Sequence, residues 1–181
     1  MALEIEIKLH VTDPSKMRSK IKEAKGMHTG TARQYDGIFD FPSGKLFKRG
    51  ELFRLRVLEP VWPDGDKTAI ITFKGKRKLK GAVKSREETE FETHDIPGAL
   101  LTLKEMGLEK KMEYLKSTEF YKLGKLKITL DHFPHYKELG YFLELEGTRL
   151  DIAKGMKKLG LSEKDAEKLS YPEIMARLLK K

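Results

Sequence analysis

The feature that most constrains this chain is a period of two in which the polar face is ionisable and not merely hydrophilic. From Leu3 to Leu9, Leu3, Ile5, Ile7 and Leu9 share one strand face, and Glu4, Glu6 and Lys8 share the other. The pattern returns at Arg54 and Arg56, at Thr72 and Lys74, at Arg86, Glu88 and Glu90, at Lys127, Thr129 and Asp131, and at Glu144 and Glu146. Taken alone, each such strand reads as a solvated face or a protected edge. Repeated on strand after strand, it points elsewhere, because an ordinary wet sheet mixes Thr, Ser, Gln and Lys on its outer face. If the apolar faces pack outward against helices, closing the sheet encloses the charges in a lumen. Enclosed charges need partners, since an unpaired buried ion is strongly destabilising. A polyphosphate with a divalent cation supplies both kinds: Arg and Lys take phosphate oxygens, and carboxylates hold the metal.

Three stretches read as a strand followed by a helix. The first strand leads to Asp13 and Pro14, an N-cap and first helical position, with Met17, Ile21 and Ala24 as an apolar stripe and Gly26 as the stop. Arg86 to Thr93 leads to a helix near Ile96 to Met106. Tyr141 to Glu146 leads to a helix containing Ile152, Met156 and Leu159. Further strand-like runs lie at Gln34 to Phe41, Leu52 to Leu58, Ala69 to Lys74, Glu119 to Lys122 and Lys125 to His132, separated by turn signals such as Pro42-Ser43-Gly44 and Pro63-Asp64-Gly65. The tail carries two capping-box spacings, Ser162 with Asp165 and Ser170 with Glu173. The expected fold is α+β: a closed β-barrel of about eight strands with a charged lumen, flanked by helices. Residues 1–181 form a single domain on this reading. The basic run Gly75 to Gly81 reads as a mobile hairpin tip, Trp62 as packing its own loop, and His132 and His135 as surface residues.

Composition narrows the chemistry. The chain lacks cysteine, so thiolate metal sites and disulfides are excluded, and hard oxygen-ligated cations become the expected ones. With 36% charged residues it has no apolar run long enough to span a bilayer and no cleavable leader, so a cytoplasmic protein without membrane partners is expected. The net charge of +9 favours an anionic partner. A nucleic acid is the weaker candidate, because these strands interleave Glu with Arg where a nucleic-acid surface would show cations and exposed aromatics. There is no Walker loop, dinucleotide fingerprint or nucleophile elbow.

Glu4-Ile5-Glu6-Ile7-Lys8 resembles the Glu-x-Glu-x-Lys signature of the CYTH superfamily, the triphosphate tunnel metalloenzymes. It is followed in order by Gln34-Tyr35-Asp36-Gly37-Ile38-Phe39-Asp40, Phe53-Arg54-Leu55-Arg56, Ile71-Thr72-Phe73-Lys74-Gly75, Arg86-x-Glu88-x-Glu90, Leu130-Asp131 and Gly140 to Glu146. The resemblance implies a tunnel of eight antiparallel strands in which Glu4, Glu6, Glu144 and Glu146 bind Mg²⁺ or Mn²⁺. It implies that Lys8, Arg54, Arg56, Lys74 and Arg86, with Lys116, hold the triphosphate of a nucleoside or other small substrate. Asp131 is similar to the family's acidic residue at the reacting end, so Asp131, Lys74 and Arg56 are the expected catalytic set. The ending Ser170-Tyr171-Pro172-Glu173 resembles class IV adenylyl cyclase-like members, which form cyclic AMP and pyrophosphate from ATP. Hydrolysis of inorganic, thiamine or nucleoside triphosphate is the alternative activity. Thr118 stands where the family usually has the arginine of Lys-x-Arg, after Lys116. Whether two copies pair as a homodimer stays open.

Overall fold

The computed structural model describes residues 2–179. Its strands are β1 (Ala2–Val11), β2 (Met27–Asp40), β3 (Leu52–Trp62), β4 (Thr68–Lys74), β5 (Lys78–Lys80), β6 (Val83–Thr93), β7 (Glu109–Leu123), β8 (Leu126–His132) and β9 (Tyr141–Glu146). The helices are α1 (Pro14–Glu23), α2 (Lys45–Arg49), α3 (Ile96–Glu105), α4 (Arg149–Leu159) and α5 (Tyr171–Leu178). The strand order is β1-β9-β8-β7-β2-β3-β4-β6, and β6 pairs back onto β1, so eight antiparallel strands close a barrel while β5 adds a short ninth on β6. None of the described helices is long and apolar enough to cross a membrane.

Closure follows from the alternation. Ile7, Leu9, Ile128, Leu130, Leu143 and Leu145 turn outward and are buried beneath α1 and α4, whose Met17, Ile21, Ile152, Met156 and Leu159 complete that core. A second cluster joins Leu55, Ala69 and Ile71 to Leu103 and Leu108 around α3. Gly155 is required by close packing: a Cβ there would stand 2.4 Å from Leu126 Cδ2, so α4 could not lie as close to β8.

Four features depart from the expected pattern, the first being that β2 begins at Met27 and not at Gln34. β7 is 15 residues long, whereas only Glu119 to Lys122 read as strand. Its lumen side carries Tyr114, Lys116 and Thr118 and its outer side Glu113, Ser117 and Glu119, so neither face gives an apolar signal of period two. The Ser162 start yields one 3₁₀ turn, Glu163–Asp165, whereas the Ser170–Glu173 capping box forms and opens α5. The basic run is pinned at both ends: Lys78–Lys80 pairs with β6, and Arg77 donates to both carboxylate oxygens of Glu173, at 2.7 and 3.1 Å. The hairpin expected to be a free tip therefore fastens α5.

Candidate active site

The polar strand faces converge on a cavity of about 1040 Å³. Cross-strand register decides which charges meet: Glu4 lies opposite Arg86, Glu6 opposite Lys84 and Glu146, and Lys8 opposite Glu144. Lys74 stands opposite Glu88, Arg54 opposite Thr72, and Arg56 opposite Asp36. At one end the lumen opens between the starts of β1 and β2 and the β7–β8 turn. Across the other lie the segment before α5 and an apolar cluster of Tyr114, Phe133, Phe142, Tyr171, Ile174 and Met175.

One wall, built on β1, β6 and β9, is rich in glutamate. Glu4 accepts from Lys74 at 3.2 Å to each oxygen and lies 3.9 Å from Arg86. Burial, and then a hydrogen bond shared with Glu88, raises its carboxyl above the usual range. Glu6 is raised by burial and then by the charges of Glu144 and Glu4, with Lys84 3.6 Å away as its nearest cation. Burial would also raise Glu144, but Lys8, 3.4 Å away, together with Lys116 and Lys84, holds it at about 2.

The opposite wall, on β2, β3, β7 and β8, holds two carboxylates that are saturated. Asp36 takes two bonds from the Arg56 guanidinium, at 2.6 and 2.7 Å, and is wholly buried. Burial opposes its charge, yet Arg56 holds it far below the carboxylate range. Asp131, also wholly buried, accepts from Lys116 at 2.8 Å, Thr118 at 2.5 Å and Tyr171 at 2.6 Å. On the same wall, Gln34 Oε1, Arg54 Nε and Thr129 Oγ1 are buried without a partner, and their residues line the cavity. Buried polar atoms are seldom left bare, so these mark positions that a ligand or water fills.

The sequence profile of the CYTH domain matches residues 2–171. The chain belongs to the CYTH domain family. No curated protein shows significant sequence similarity to it. Among solved structures, the CYTH chain is similar to the PH1819 protein of Pyrococcus horikoshii OT3, with TM-score 0.80 at 23% identity over 97% of this chain and 99% of that one. It is similar to a candidate adenylate cyclase of Vibrio parahaemolyticus, with TM-score 0.74 at 23% identity over 96% and 98%. It is also similar to HpAC1 of Hippeastrum, named for adenylyl cyclase and described as having a dominant triphosphatase activity, with TM-score 0.70 at 20% identity over 96% and 95%. Likeness at these identities concerns the fold. CYTH proteins are enzymes that bind triphosphate substrates and depend on a divalent metal.

Within this CYTH barrel, Glu4, Glu6, Glu144, Glu146, Lys8, Arg54, Arg56, Lys74, Arg86 and Lys116 all line the cavity, whereas Asp131 lies behind its surface. Among the described residues, no three carboxylates or imidazoles converge as a ready-made metal cage. Each expected ligand leans on its own cation, Glu146 on Lys127 at 2.8 Å included. The donor set nevertheless fits a hard dication, because Mg²⁺ keeps several waters and substrate oxygens and needs only one or two carboxylates. Glu4, Glu6, Glu144 and Glu146 all line the one cavity and so offer that number.

Five further residues build the site: Gln34, Tyr114 and Tyr171 line the cavity, and Asp36 and Lys84 lie behind its lining. Gln34 and Asp36 alternate with a period of two, and Lys84 stands two before Arg86, so periodicity could have found these three. Tyr114 was hidden in the unread half of β7. Tyr171 gives no local signal, since it meets Asp131 from 40 residues away.

Proposed function

We propose that this CYTH domain is a Mg²⁺- or Mn²⁺-dependent hydrolase of small triphosphates, with inorganic triphosphate and nucleoside triphosphates as its substrate class. The observation that supports the reading is one lumen that holds the under-neutralised Glu4 and Glu6 together with Lys8, Lys74, Arg86, Lys116 and Arg54, whose Nε is bare. Glu4 and Glu6, with Glu144 and Glu146, would hold the ion, which when bound polarises the phosphate oxygens and offsets their charge. Lys8, Arg54, Lys74, Arg86 and Lys116 bind and orient the phosphate chain. Arg56 is fixed by Asp36, so it contributes a preorganised charge that needs no reorganisation during reaction.

Cyclisation of ATP is the second reading, and the position of Asp131 bears on the choice. A base for the ribose 3′-hydroxyl needs a free oxygen lone pair within hydrogen-bond reach of the substrate. Asp131 has three donors and lies outside the cavity lining, so it serves better as an anchor for Lys116. The mouth bears on the substrate. Lys122 and Lys127 are direct cross-strand partners lining the cavity, with Lys125 in the turn between them. Like charges placed opposite each other are unfavourable without a counter-charge. Glu146 offsets Lys127 at 2.8 Å, so Lys122 and Lys125 carry the excess positive charge that suits an anionic or neutral end beyond the triphosphate and opposes the cationic ring of thiamine.

The test is incubation with tripolyphosphate, ATP or thiamine triphosphate and Mg²⁺ or Mn²⁺, with orthophosphate, pyrophosphate and cyclic AMP measured separately. Orthophosphate from tripolyphosphate and ATP is expected. Cyclic AMP with pyrophosphate and no orthophosphate would establish the second reading instead.

A further inference from the structure

We infer that Tyr171, brought in by the C-terminal segment, is a positioning residue that aims the phosphate-binding ammonium groups of Lys8 and Lys116. This rests on the reading that the lumen takes a triphosphate. Lys8 Nζ sits 3.4 Å from the centre of the Tyr171 ring, and Lys116 Nζ 4.9 Å from it. The Tyr171 hydroxyl donates to Asp131 at 2.6 Å, and the same carboxylate oxygen accepts from Lys116 at 2.8 Å. Two residues earlier, the Leu169 carbonyl accepts from Lys8 at 3.3 Å and from Lys84 at 3.1 Å. All three lysines are buried, so their ammonium groups would repel one another and wander unless held.

The kind of partner matters. Lys8 already pairs with Glu144 at 3.4 Å, and the ring face and the Leu169 carbonyl add neutral contacts that steady its ammonium without offsetting its charge further. The hydroxyl acts on Lys116 through Asp131, and Thr118 completes that anchor as a third donor. Threonine at this position thus belongs to the scaffold that holds a phosphate ligand. The segment is itself secured: the Ser170 and Glu173 capping box fixes the turn, and Arg77 clamps Glu173 from the β5 hairpin. Residues late in the chain therefore complete a site whose other parts come from the barrel.

The inference is tested by calorimetric titration of metal-free protein with tripolyphosphate, alongside steady-state kinetics with Mg²⁺. Tyr171→Leu removes ring and hydroxyl and is expected to weaken tripolyphosphate binding about tenfold, the scale of a desolvated cation–π contact. Tyr171→Phe keeps the ring and should recover most of that loss, remaining about threefold weaker than wild type, the low end of a hydrogen bond's net worth, because the hydroxyl reaches Lys116 only through Asp131. KM should rise in parallel while kcat changes less than twofold, a split that a general loosening of the fold would not give. If Tyr171→Leu does not fold, Thr118→Val and Tyr171→Phe test the Asp131 arm: each should weaken binding, and the double variant by less than the product of the two, because they share one anchor. Wild-type affinity in folded Tyr171→Leu, or in both arm variants, overturns the inference alone. A wild-type protein that binds no tripolyphosphate overturns the triphosphate reading, and this one with it.

Discussion

The two walls of the lumen hold carboxylates in opposite conditions. On the β2–β3–β7–β8 wall, Asp36 and Asp131 have every oxygen engaged by donors within 2.8 Å. On the β1–β6–β9 wall, Glu4 and Glu6 are partly exposed, their nearest cations stand at 3.2 and 3.6 Å, and burial with neighbouring carboxylates raises their carboxyls above the ordinary range. A carboxylate that serves as scaffold is saturated by its own protein. One that awaits a metal has to be left short of charge, because a fully neutralised group gains little from a cation. The difference sets Glu4 and Glu6 apart from Asp36 and Asp131, while Glu144, on the same wall as Glu4 and Glu6, is held at about 2 by Lys8, Lys116 and Lys84.

The largest test of that contrast is functional. Glu4→Gln with Glu6→Gln is expected to lower metal-dependent phosphate release by about 10³-fold or more, the scale of removing a main electrostatic element of a site. Melting temperature should change by only a few degrees, because relief of two crowded carboxylates is set against the lost pairing of Lys74 and Lys84. A double variant with wild-type turnover would break the assignment of the binding wall.

On the supporting wall the expectation reverses. Asp36→Asn leaves the Arg56 guanidinium buried beside a neutral group and should cost about 3 kcal/mol of stability, read as a melting temperature lower by about 10 °C. An Asp36→Asn protein as stable as wild type would mean that the pair is not structural.

Smaller effects sharpen the picture at the ends of the barrel. Lys122→Ser with Lys127→Ser should raise KM for tripolyphosphate about fivefold, and less so at high salt, because exposed charges act through a screened field. Thiamine triphosphate should lose its disadvantage in the same variant. The smallest effect belongs to the clamp on α5. Arg77 and Ser170 outweigh burial and hold Glu173 at about 2, against an unfolded value of 4.5. A depressed carboxylate contributes stability that is fully present above pH 4.5 and lost as the pH falls towards 2. Glu173→Gln should therefore lower the melting temperature by about 3 °C at pH 7, with the gap to wild type closing as the pH approaches 2.

Much of this was legible from residues 3–9 onward. Strict alternation with ionisable faces fixed the inverted barrel, and register then carried Glu4, Glu6, Lys8, Arg54 and Arg86 into one cavity. What the sequence hid has a common physical cause. β7 is half charged on its outer face and half polar on its inner one, so the apolar period that betrays a strand is cancelled. Asp131 was visible as an acidic residue on a lumen face, but its saturation by Lys116, Thr118 and Tyr171 depends on three separate chain segments. Tyr171 reads locally as the first residue of a capped helix, and only the path of the chain across the end of the barrel brings its ring beneath Lys8. Likewise Arg77 reads as part of a solvated basic tip, until Glu173 is found facing it.

The most direct test of the central claim is titration of tripolyphosphate by calorimetry, with and without Mg²⁺, into wild type and into Glu4→Gln with Glu6→Gln. If the glutamate wall holds the ion and the cations hold the phosphates, Mg²⁺ should tighten binding to wild type. The double variant should still bind tripolyphosphate but be indifferent to Mg²⁺. The same Mg²⁺ enhancement in both proteins would contradict the account.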